Sequence, residues 1–85
     1  MAKSVFSPPY GLFLDLLKQT RLEAGVSQTE LARRLNRPQP FISYIESGER
    51  RVDVIEFYAI MRALRADPEA SFSKLVKKLP QKVEI

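Results

Sequence analysis

Five arginine side chains lie close together in the middle of the chain and could neutralise an anionic partner. They are Arg33, Arg34, Arg37, Arg50 and Arg51, with only two glutamates among them. The whole chain of 85 residues has 14 Lys and Arg against 10 Asp and Glu, a net charge of +4. This balance favours nucleic acid or an anionic membrane surface as a partner, although an ordinary soluble surface carries a similar charge.

Several common reactive groups are missing from the sequence, and this narrows the chemistry. There is no cysteine and no histidine, so the usual zinc ligands and the usual general base are missing. The three glycines do not form a phosphate-binding G-x-x-x-x-G-K loop, and no nucleophile–base set can be recognised. We therefore predict that the protein is not an enzyme and that it binds neither a metal nor a cofactor.

The apolar run at residues 12–17 is interrupted by Asp15 and is far too short to cross a bilayer. No small-residue cleavage site follows this run, so it does not resemble a signal peptide. The lack of cysteine fits a reducing compartment. We predict a cytoplasmic protein that does not contact the membrane.

Helical periodicity begins at Tyr10, after a segment that ends in two prolines. We expect residues 1–9 to form an irregular N-terminal arm. The first helix should end at Gly25. The side chains that share its buried face are Phe13, Leu14, Leu17, Arg21 and Ala24.

The second helix has a clear start signal. Ser27 and Glu30 form a capping-box pattern, and Val26 and Leu31 occupy the positions of a hydrophobic staple. The helix is short, because Asn36 can adopt the left-handed conformation that ends a helix.

Two prolines, one residue apart, come directly before the third apolar stripe. Proline costs about 3 kcal/mol inside a helix, but in the first turn it loses no hydrogen bond. The residue before a proline avoids the α region, so Gln39 should be the last non-helical residue and Pro40 the first helical one. Gly48 should follow the end of this helix. Its inward face consists of Phe41, Ile42, Ile45 and Glu46.

Two more helices follow, and Asp53 and Asp67 are the residues that begin them. The stripe of the fourth helix is Phe57, Ile60, Met61 and Leu64, and that of the fifth is Phe72, Leu75, Val76 and Leu79. Residues 80–85 form a tail that is either a short strand or a loose end. We predict an all-α protein with five short helices in one domain, residues 10–79.

Helices two and three are short and joined by three or four residues, which favours the steep crossing of a helix-turn-helix unit. The stretch SQTELARRLNRPQPFISYIESGERRVDVIEF closely resembles the Cro/phage-repressor type of helix-turn-helix proteins, the Xre family. The resemblance extends over about residues 12–75, and its most specific motifs are E-L-A in helix two and I-S-x-I-E-x-G in helix three. It implies a lambda-repressor-like domain that binds double-stranded DNA sequence-specifically and regulates transcription as a repressor.

The resemblance also implies that helix three, about residues 39–47, enters the major groove. The outward side chains expected to contact bases are Gln39, Pro40, Ser43 and Tyr44. A glutamine carboxamide can pair bidentately with adenine. The side chains expected to contact phosphates are Gln28, Arg37, Ser47, Arg50 and Arg51. Without the resemblance, a solvated helix face is the simpler interpretation of the outward side chains of helix three. For Arg33 and Arg34, a solvated helix face and phosphate contact explain the sequence equally well.

Two charged side chains lie on apolar stripes. Arg21 follows Leu17 by four residues, and Glu46 follows Ile42 by four. A charge directed at a core is costly unless it is paired. We predict a partly buried ion pair between Arg21 and Glu46 that fixes helix three on helix one, as the resemblance also implies.

The resemblance implies that one monomer contacts few base pairs. Useful specificity then usually requires two half-sites about 34 Å apart, so we expect a homodimer. The distal part of helix five, with Val76, Leu79 and the tail, is the expected interface, although helix five could simply close the core. The alternative is an antitoxin or accessory partner of another protein, which would use the same domain for autoregulation. Such a partner would dock on the arm or the tail.

Overall fold

The computed structural model describes residues 7–85, and over this range the chain forms five α-helices and no strand. The helices are α1 (Pro8–Glu23), α2 (Gln28–Arg34), α3 (Pro40–Glu46), α4 (Val54–Ala63) and α5 (Pro68–Lys78). The predicted all-α class with five short helices is therefore confirmed. None of the described helices combines the length and the apolar character needed to cross a membrane.

The first helix begins earlier than the sequence indicates. The Ser7 side chain accepts a hydrogen bond from the Tyr10 backbone N–H, and Pro8 and Pro9 occupy the first turn. Prolines lose nothing there, because first-turn N–H groups have no partner within the helix. The expectation of an irregular segment up to residue 9 is therefore wrong for residues 8–9, while residues 1–6 of the predicted arm lie outside the described residues.

Most of the predicted helix caps are present. Asp53 and Glu56 form a complete capping box, with the Asp53 side chain accepting from the Glu56 N–H and the Glu56 side chain from the Asp53 N–H. Ser27 caps α2 by accepting from the Glu30 N–H, but the Glu30 carboxylate does not return a bond. That carboxylate accepts hydrogen bonds from two arginines instead, and such charge-assisted bonds are the stronger ones.

The α3 start has an unexpected backbone conformation. Pro40 is the first helical residue, as predicted, but Gln39 has φ −51° and ψ −42°, which is in the α region. The Phe41 N–H donates to the Pro38 carbonyl oxygen at 3.0 Å, so a tight turn over residues 38–41 leads into the helix. This turn overrides the preference for an extended residue before proline.

The first four helices are each followed, two residues after their last residue, by a residue with a positive φ: Gly25, Asn36, Gly48 and Arg65. The residue after each of them donates its N–H to a carbonyl five residues back, at 2.9–3.2 Å, which is the Schellman arrangement. The sequence predicted the first three of these ends. Arg65, with φ 60°, was missed because a left-handed arginine costs roughly 1–2 kcal/mol and has no sequence signature.

The core lies where α3 packs on α1 and α2, and where α5 packs on α1 and α4. Its most deeply buried side chains are Leu31, Ile42, Ile45 and Met61. All four members of the predicted α4 stripe are buried. The α1 stripe is buried at Leu14, Leu17 and Arg21, whereas Ala24 is exposed.

The predicted apolar face of α5 is only partly covered. Leu75 and Ser71 are buried, Leu79 is half-buried, and Phe72 and Val76 are exposed. The contact of α5 with the rest of the domain is therefore narrower than its apolar stripe. Residues 80–85 contain no strand, so the tail is a loose end.

Candidate nucleic-acid interface

The turn between α2 and α3 fixes the two helices relative to each other. Asn36 has φ 56°, and the Arg37 N–H donates to the Ala32 carbonyl oxygen at 2.9 Å. Ala32 itself is buried, and its small side chain allows α2 and α3 to approach closely. The result is a compact helix-turn-helix unit, as its short connection predicted.

One side of α3 is buried and the other is exposed. Phe41, Ile42 and Ile45 are in the core. The residues on the opposite side are all exposed, and we call them the α3 outer face: Gln39, Pro40, Ser43, Tyr44 and Ser47. The Ser47 hydroxyl donates to the Tyr44 carbonyl oxygen at 3.1 Å, so its single proton already has a partner within the helix.

The predicted ion pair between α1 and α3 is present. Arg21 Nε and Nη2 donate to the two Glu46 carboxylate oxygens at 2.6 and 3.0 Å, and both side chains are only 8% exposed. Arg21 Nη1 also donates to the Val26 carbonyl oxygen at 2.9 Å. The guanidinium therefore connects three elements: α1, which carries it, the loop between α1 and α2, and α3. Its two bonds to the Glu46 carboxylate are bidentate.

Gln28 belongs to the same network. Its Nε2 donates to Glu46 Oε1 at 2.9 Å, which links the first turn of α2 to the last turn of α3. A carboxamide has two N–H donors, so one remains for a contact outside the protein. The sequence placed Gln28 near a phosphate but did not predict its bond to Glu46.

Thr29 is a residue that the sequence analysis missed. Its hydroxyl oxygen accepts a hydrogen bond from Gln39 Nε2 at 3.1 Å. Both residues are exposed, and the Gln39 side chain makes no capping bond to α3. The only sequence signal was the position of Thr29 in the first turn of α2, which faces the start of α3 when the two helices cross steeply.

Arg37 and Arg50 flank the ring of Phe41. Their guanidinium carbons lie 4.8 and 4.9 Å from the ring centroid, within the range of a cation–π contact. Arg50 also donates to both oxygens of Glu56 at 3.0 and 2.8 Å. The hydrogen bond with Arg50 lowers the pKa of the Glu56 carboxyl, and the same bond raises the pKa of Arg50. Much of the Arg50 charge is therefore balanced within the domain.

Arg51 follows Arg50 in the loop between α3 and α4. Its guanidinium carbon is 4.2 Å from the centroid of the Tyr10 ring, and the Tyr10 hydroxyl accepts a hydrogen bond from the Val52 N–H. The first turn of α1 thus supports this loop. Of the arginines predicted at phosphates, Arg37 and Arg51 are exposed, while Arg50 is half-buried.

Arg33 and Arg34 form ion pairs within α2, and Arg34 also contacts α4. Both donate to the Glu30 carboxylate, at 2.7–2.9 Å, and Arg34 also donates to the Ala63 carbonyl oxygen at the end of α4. The hydrogen bonds from Arg33 and then Arg34 lower the pKa of Glu30 to about 2. These contacts fit the interpretation of Arg33 and Arg34 as a solvated, self-paired helix face.

A second exposed surface is apolar, whereas the α3 outer face is mostly polar. Five apolar side chains of α4 and α5 are more than half exposed, and we call them the α4–α5 apolar face: Val54, Ile55, Tyr58, Phe72 and Val76. Val54 and Phe72 border one groove, and the Phe72 ring is 6.4 Å from the ring of Phe57. The sequence analysis indicated Val76 but missed the three residues of α4, because a helix of mixed polarity does not reveal which apolar residues lie outside the core.

Comparisons with known proteins agree with this geometry. Residues 12–71 match a protein-family model described as a helix-turn-helix domain. The chain is also similar to the structure of an XRE-family like protein from Pseudomonas syringae pv. tomato str. DC3000, with 50% identity and a TM-score of 0.79. That alignment covers 85% of this chain and 88% of the other. The chain belongs to the Xre family of helix-turn-helix proteins. The family predicted from the sequence motifs is therefore confirmed.

The chain is also similar to the structure of the wild-type restriction–modification controller protein C.Esp1396I, with 29% identity and a TM-score of 0.76. The alignment covers 85% of this chain and 94% of the controller protein. A single-residue variant of that protein gives 30% identity, a TM-score of 0.75 and coverages of 85% and 91%. A comparison with curated proteins gave no match. As a member of the Xre family, the chain is a DNA-binding regulator of transcription.

Proposed function

We propose that this protein is a sequence-specific repressor that reads the major groove of double-stranded DNA with the α3 outer face. The observation that carries the proposal is the two-sided character of α3. Its inner side is anchored in the core and to Arg21, while its outer side keeps polar side chains exposed next to the N-terminal end of the helix. Helix-turn-helix proteins contact base edges with this end of their recognition helix.

The proposed base contacts differ in chemistry. Gln39 offers a carboxamide for adenine, Ser43 a hydroxyl that suits several bases, and Tyr44 a phenol that reaches a base or a phosphate. Pro40 has no donor and is assigned to apolar contact, such as the methyl group of thymine.

The proposed phosphate contacts come from both sides of α3. Gln28 retains one free N–H, and Arg37 and Arg51 present exposed charge in the two loops beside the helix. Ser47 contributes after its hydroxyl rotates away from the Tyr44 carbonyl. Arg50 contributes less, because Glu56 balances its charge. Binding through several such contacts should weaken steeply as salt rises.

We assign the second half-site to a second copy of this chain. The α4–α5 apolar face supports a homodimer, because exposed apolar patches of this kind mark contacts between proteins. Val54 and Ile55 are 73% and 71% exposed on the first turn of α4, where nothing in the described residues covers them. A two-fold axis through this face would pair it with itself, as closed dimers require.

The test is fluorescence anisotropy with labelled DNA from the gene's own upstream region and a scrambled duplex of equal length. We expect the upstream DNA to bind at least about a thousandfold more tightly near physiological salt. The same promoter fused to a reporter should lose activity when the protein is supplied. Equal and salt-labile binding to both duplexes would contradict sequence-specific recognition at that site, and a rise in reporter activity would contradict repression.

A second candidate role is control of a neighbouring restriction–modification gene pair or, more broadly, autoregulation as the accessory partner of another protein. The similarity to a restriction–modification controller over 85% of this chain favours it. In this case the protein should bind upstream of an adjacent nuclease or methyltransferase gene. A pull-down with the purified chain would separate DNA control from partner binding through the arm or the tail.

A further inference from the structure

The carboxamide of Gln39 is held by a neighbour outside its own helix. Gln39 Nε2 donates to Thr29 Oγ1 at 3.1 Å, so a side chain of α2 contacts the residue at the N-cap position of α3. Gln39 is followed by Pro40 and makes no side-chain cap, which means that the amide has no other role in starting the helix. The bond therefore orients a polar group that is exposed at the end of the proposed recognition helix.

The remaining hydrogen-bonding capacity of this amide is defined. A carboxamide has two N–H donors and one carbonyl acceptor, and Thr29 takes one of the donors. One N–H and the carbonyl oxygen are left for a ligand. In the major groove adenine presents an acceptor and a donor, N7 and N6–H, whereas guanine presents two acceptors, N7 and O6. The Gln39 amide with one donor occupied matches adenine.

We propose that Thr29 is a positioning residue that sets the base specificity of Gln39 for adenine. This inference rests on the proposed major-groove reading by α3. In the structure the Thr29 hydroxyl accepts from this amide. Without the hydroxyl the amide loses this restraint and rotates more easily by half a turn, which exchanges its oxygen and nitrogen and weakens its preference for one donor–acceptor order. A group already held in its bound orientation also loses less conformational freedom on binding.

Thr29 is well suited to this role. It is β-branched, so its χ1 angle is restricted, and it lies in the first turn of α2, whose position relative to α3 is fixed by the Gln28–Glu46 bond. The hydroxyl therefore lies within hydrogen-bond distance of the residue that precedes α3. Because Thr29 is exposed, replacing it should change the amide without removing core packing.

The experiment compares four proteins: the wild type, Thr29→Val, Thr29→Ser and Gln39→Ala. Each protein selects from a randomised double-stranded DNA library, and anisotropy then measures its affinity for the wild-type consensus and for single-base variants. Thr29→Val has the same shape but no hydroxyl, and Thr29→Ser is the matched control that keeps it. Thermal unfolding checks that all four proteins fold.

We expect the wild type to require adenine at one position of each half-site. A good bidentate contact discriminates against a wrong base by roughly 5- to 150-fold. Thr29→Val should lose at least about fivefold of this discrimination at that position alone, Thr29→Ser should keep it, and Gln39→Ala should abolish it. A fifth protein, the double variant Thr29→Val/Gln39→Ala, should behave like Gln39→Ala, because Thr29 acts only through that amide.

The outcomes separate this inference from the function on which it rests. If Gln39→Ala removes the adenine preference and Thr29→Val keeps it, or if Thr29→Val weakens all sequences equally, Thr29 does not set specificity. A wild-type preference for guanine at the Gln39 position would also overturn the inference, because guanine presents two acceptors and the bond to Thr29 leaves the amide only one N–H. If the wild type selects no motif, or Gln39→Ala leaves every preference intact, the proposed reading by Gln39 itself fails.

Discussion

The α3 outer face and the α4–α5 apolar face are both exposed, but the elements beneath them are held in different ways. Below the α3 outer face, ion pairs join separate elements, Arg21 with Glu46 and Arg50 with Glu56. The α4–α5 apolar face lies on helices joined by apolar packing, with Phe57 and Leu75 beneath it.

This difference indicates what each face can bind. Charged contacts with defined geometry fix the direction of a helix while its outer polar side chains stay hydrated and available to a polar ligand. Apolar side chains left in water contribute free energy only when another apolar surface covers them. This is the physical ground for the proposal that the α3 outer face binds DNA and the α4–α5 apolar face binds protein. Four predictions test the contrast, from the largest expected effect to the smallest.

The largest effect should follow from Glu46→Gln. This change leaves the buried Arg21 guanidinium without its counter-charge, and breaking a buried pair in this way costs on the order of 3 kcal/mol. The midpoint of urea unfolding should fall accordingly, and DNA affinity should fall with it because α3 loses its anchor. Glu49→Gln, at an exposed position in the next loop, is the control and should change stability by less than about 0.5 kcal/mol. Unchanged stability and affinity in Glu46→Gln would mean that the ion pair has no role.

The next effect should be loss of self-association in Ile55→Glu. A two-fold interface contains this side chain twice, and each loses about 1.5 kcal/mol or more of apolar burial, so association should weaken roughly a hundredfold. The fold should persist, because an acidic residue is favourable in the first turn of α4. Sedimentation equilibrium measures the effect, with the exposed Leu22→Gln as control. A wild type that stays monomeric with and without DNA would exclude this dimer.

The sequence predicted the supports of the α3 outer face better than the α4–α5 apolar face, for a physical reason. Arg21 and Glu46 could be paired from sequence because a charge on an apolar stripe has few acceptable partners. Similarly, the Asn36 turn and the Asp53 cap depend on neighbours only a few residues away. Local chemistry of this kind is visible in the sequence.

The features that the sequence did not reveal depend on how helices meet. Phe72 and Val76 fit an apolar stripe, but each is 51% exposed. Thr29 and Gln39 are ten residues apart, and only the crossing of α2 and α3 brings them together. The α conformation of Gln39 also differs from the prediction, because the turn at residues 38–41 outweighs the local effect of the following proline.

A smaller effect is expected from Arg37→Gln. If Arg37 neutralises one phosphate per half-site, the slope of log K against log salt should decrease by about 0.9 for each half-site. Arg33→Gln is the matched control, since Arg33 is paired with Glu30 on the same domain, and its slope should change less. Anisotropy titrations at several salt concentrations give both slopes. Equal changes in the two variants would show that pairing within the domain does not decide which arginines contact DNA.

The smallest effect concerns the self-paired cluster of Glu30, Arg33 and Arg34. The pKa of Glu30 is lowered from its ordinary value of 4.5 to about 2, so its contribution to stability is present above pH 4.5 and is lost as the pH falls towards 2. Water and salt screen these exposed charges, so we expect only a slightly shallower loss of stability over this window in Glu30→Gln, measured by urea unfolding at successive pH values. Glu56→Gln is the comparison, because Arg50 also lowers the pKa of that less exposed carboxyl, and it should flatten the acid response more. If Glu30→Gln flattened the acid response more than Glu56→Gln, the cluster on α2 would stabilise the domain more than the pair beside α3. That result would contradict the distinction between solvated charges and charges that support α3.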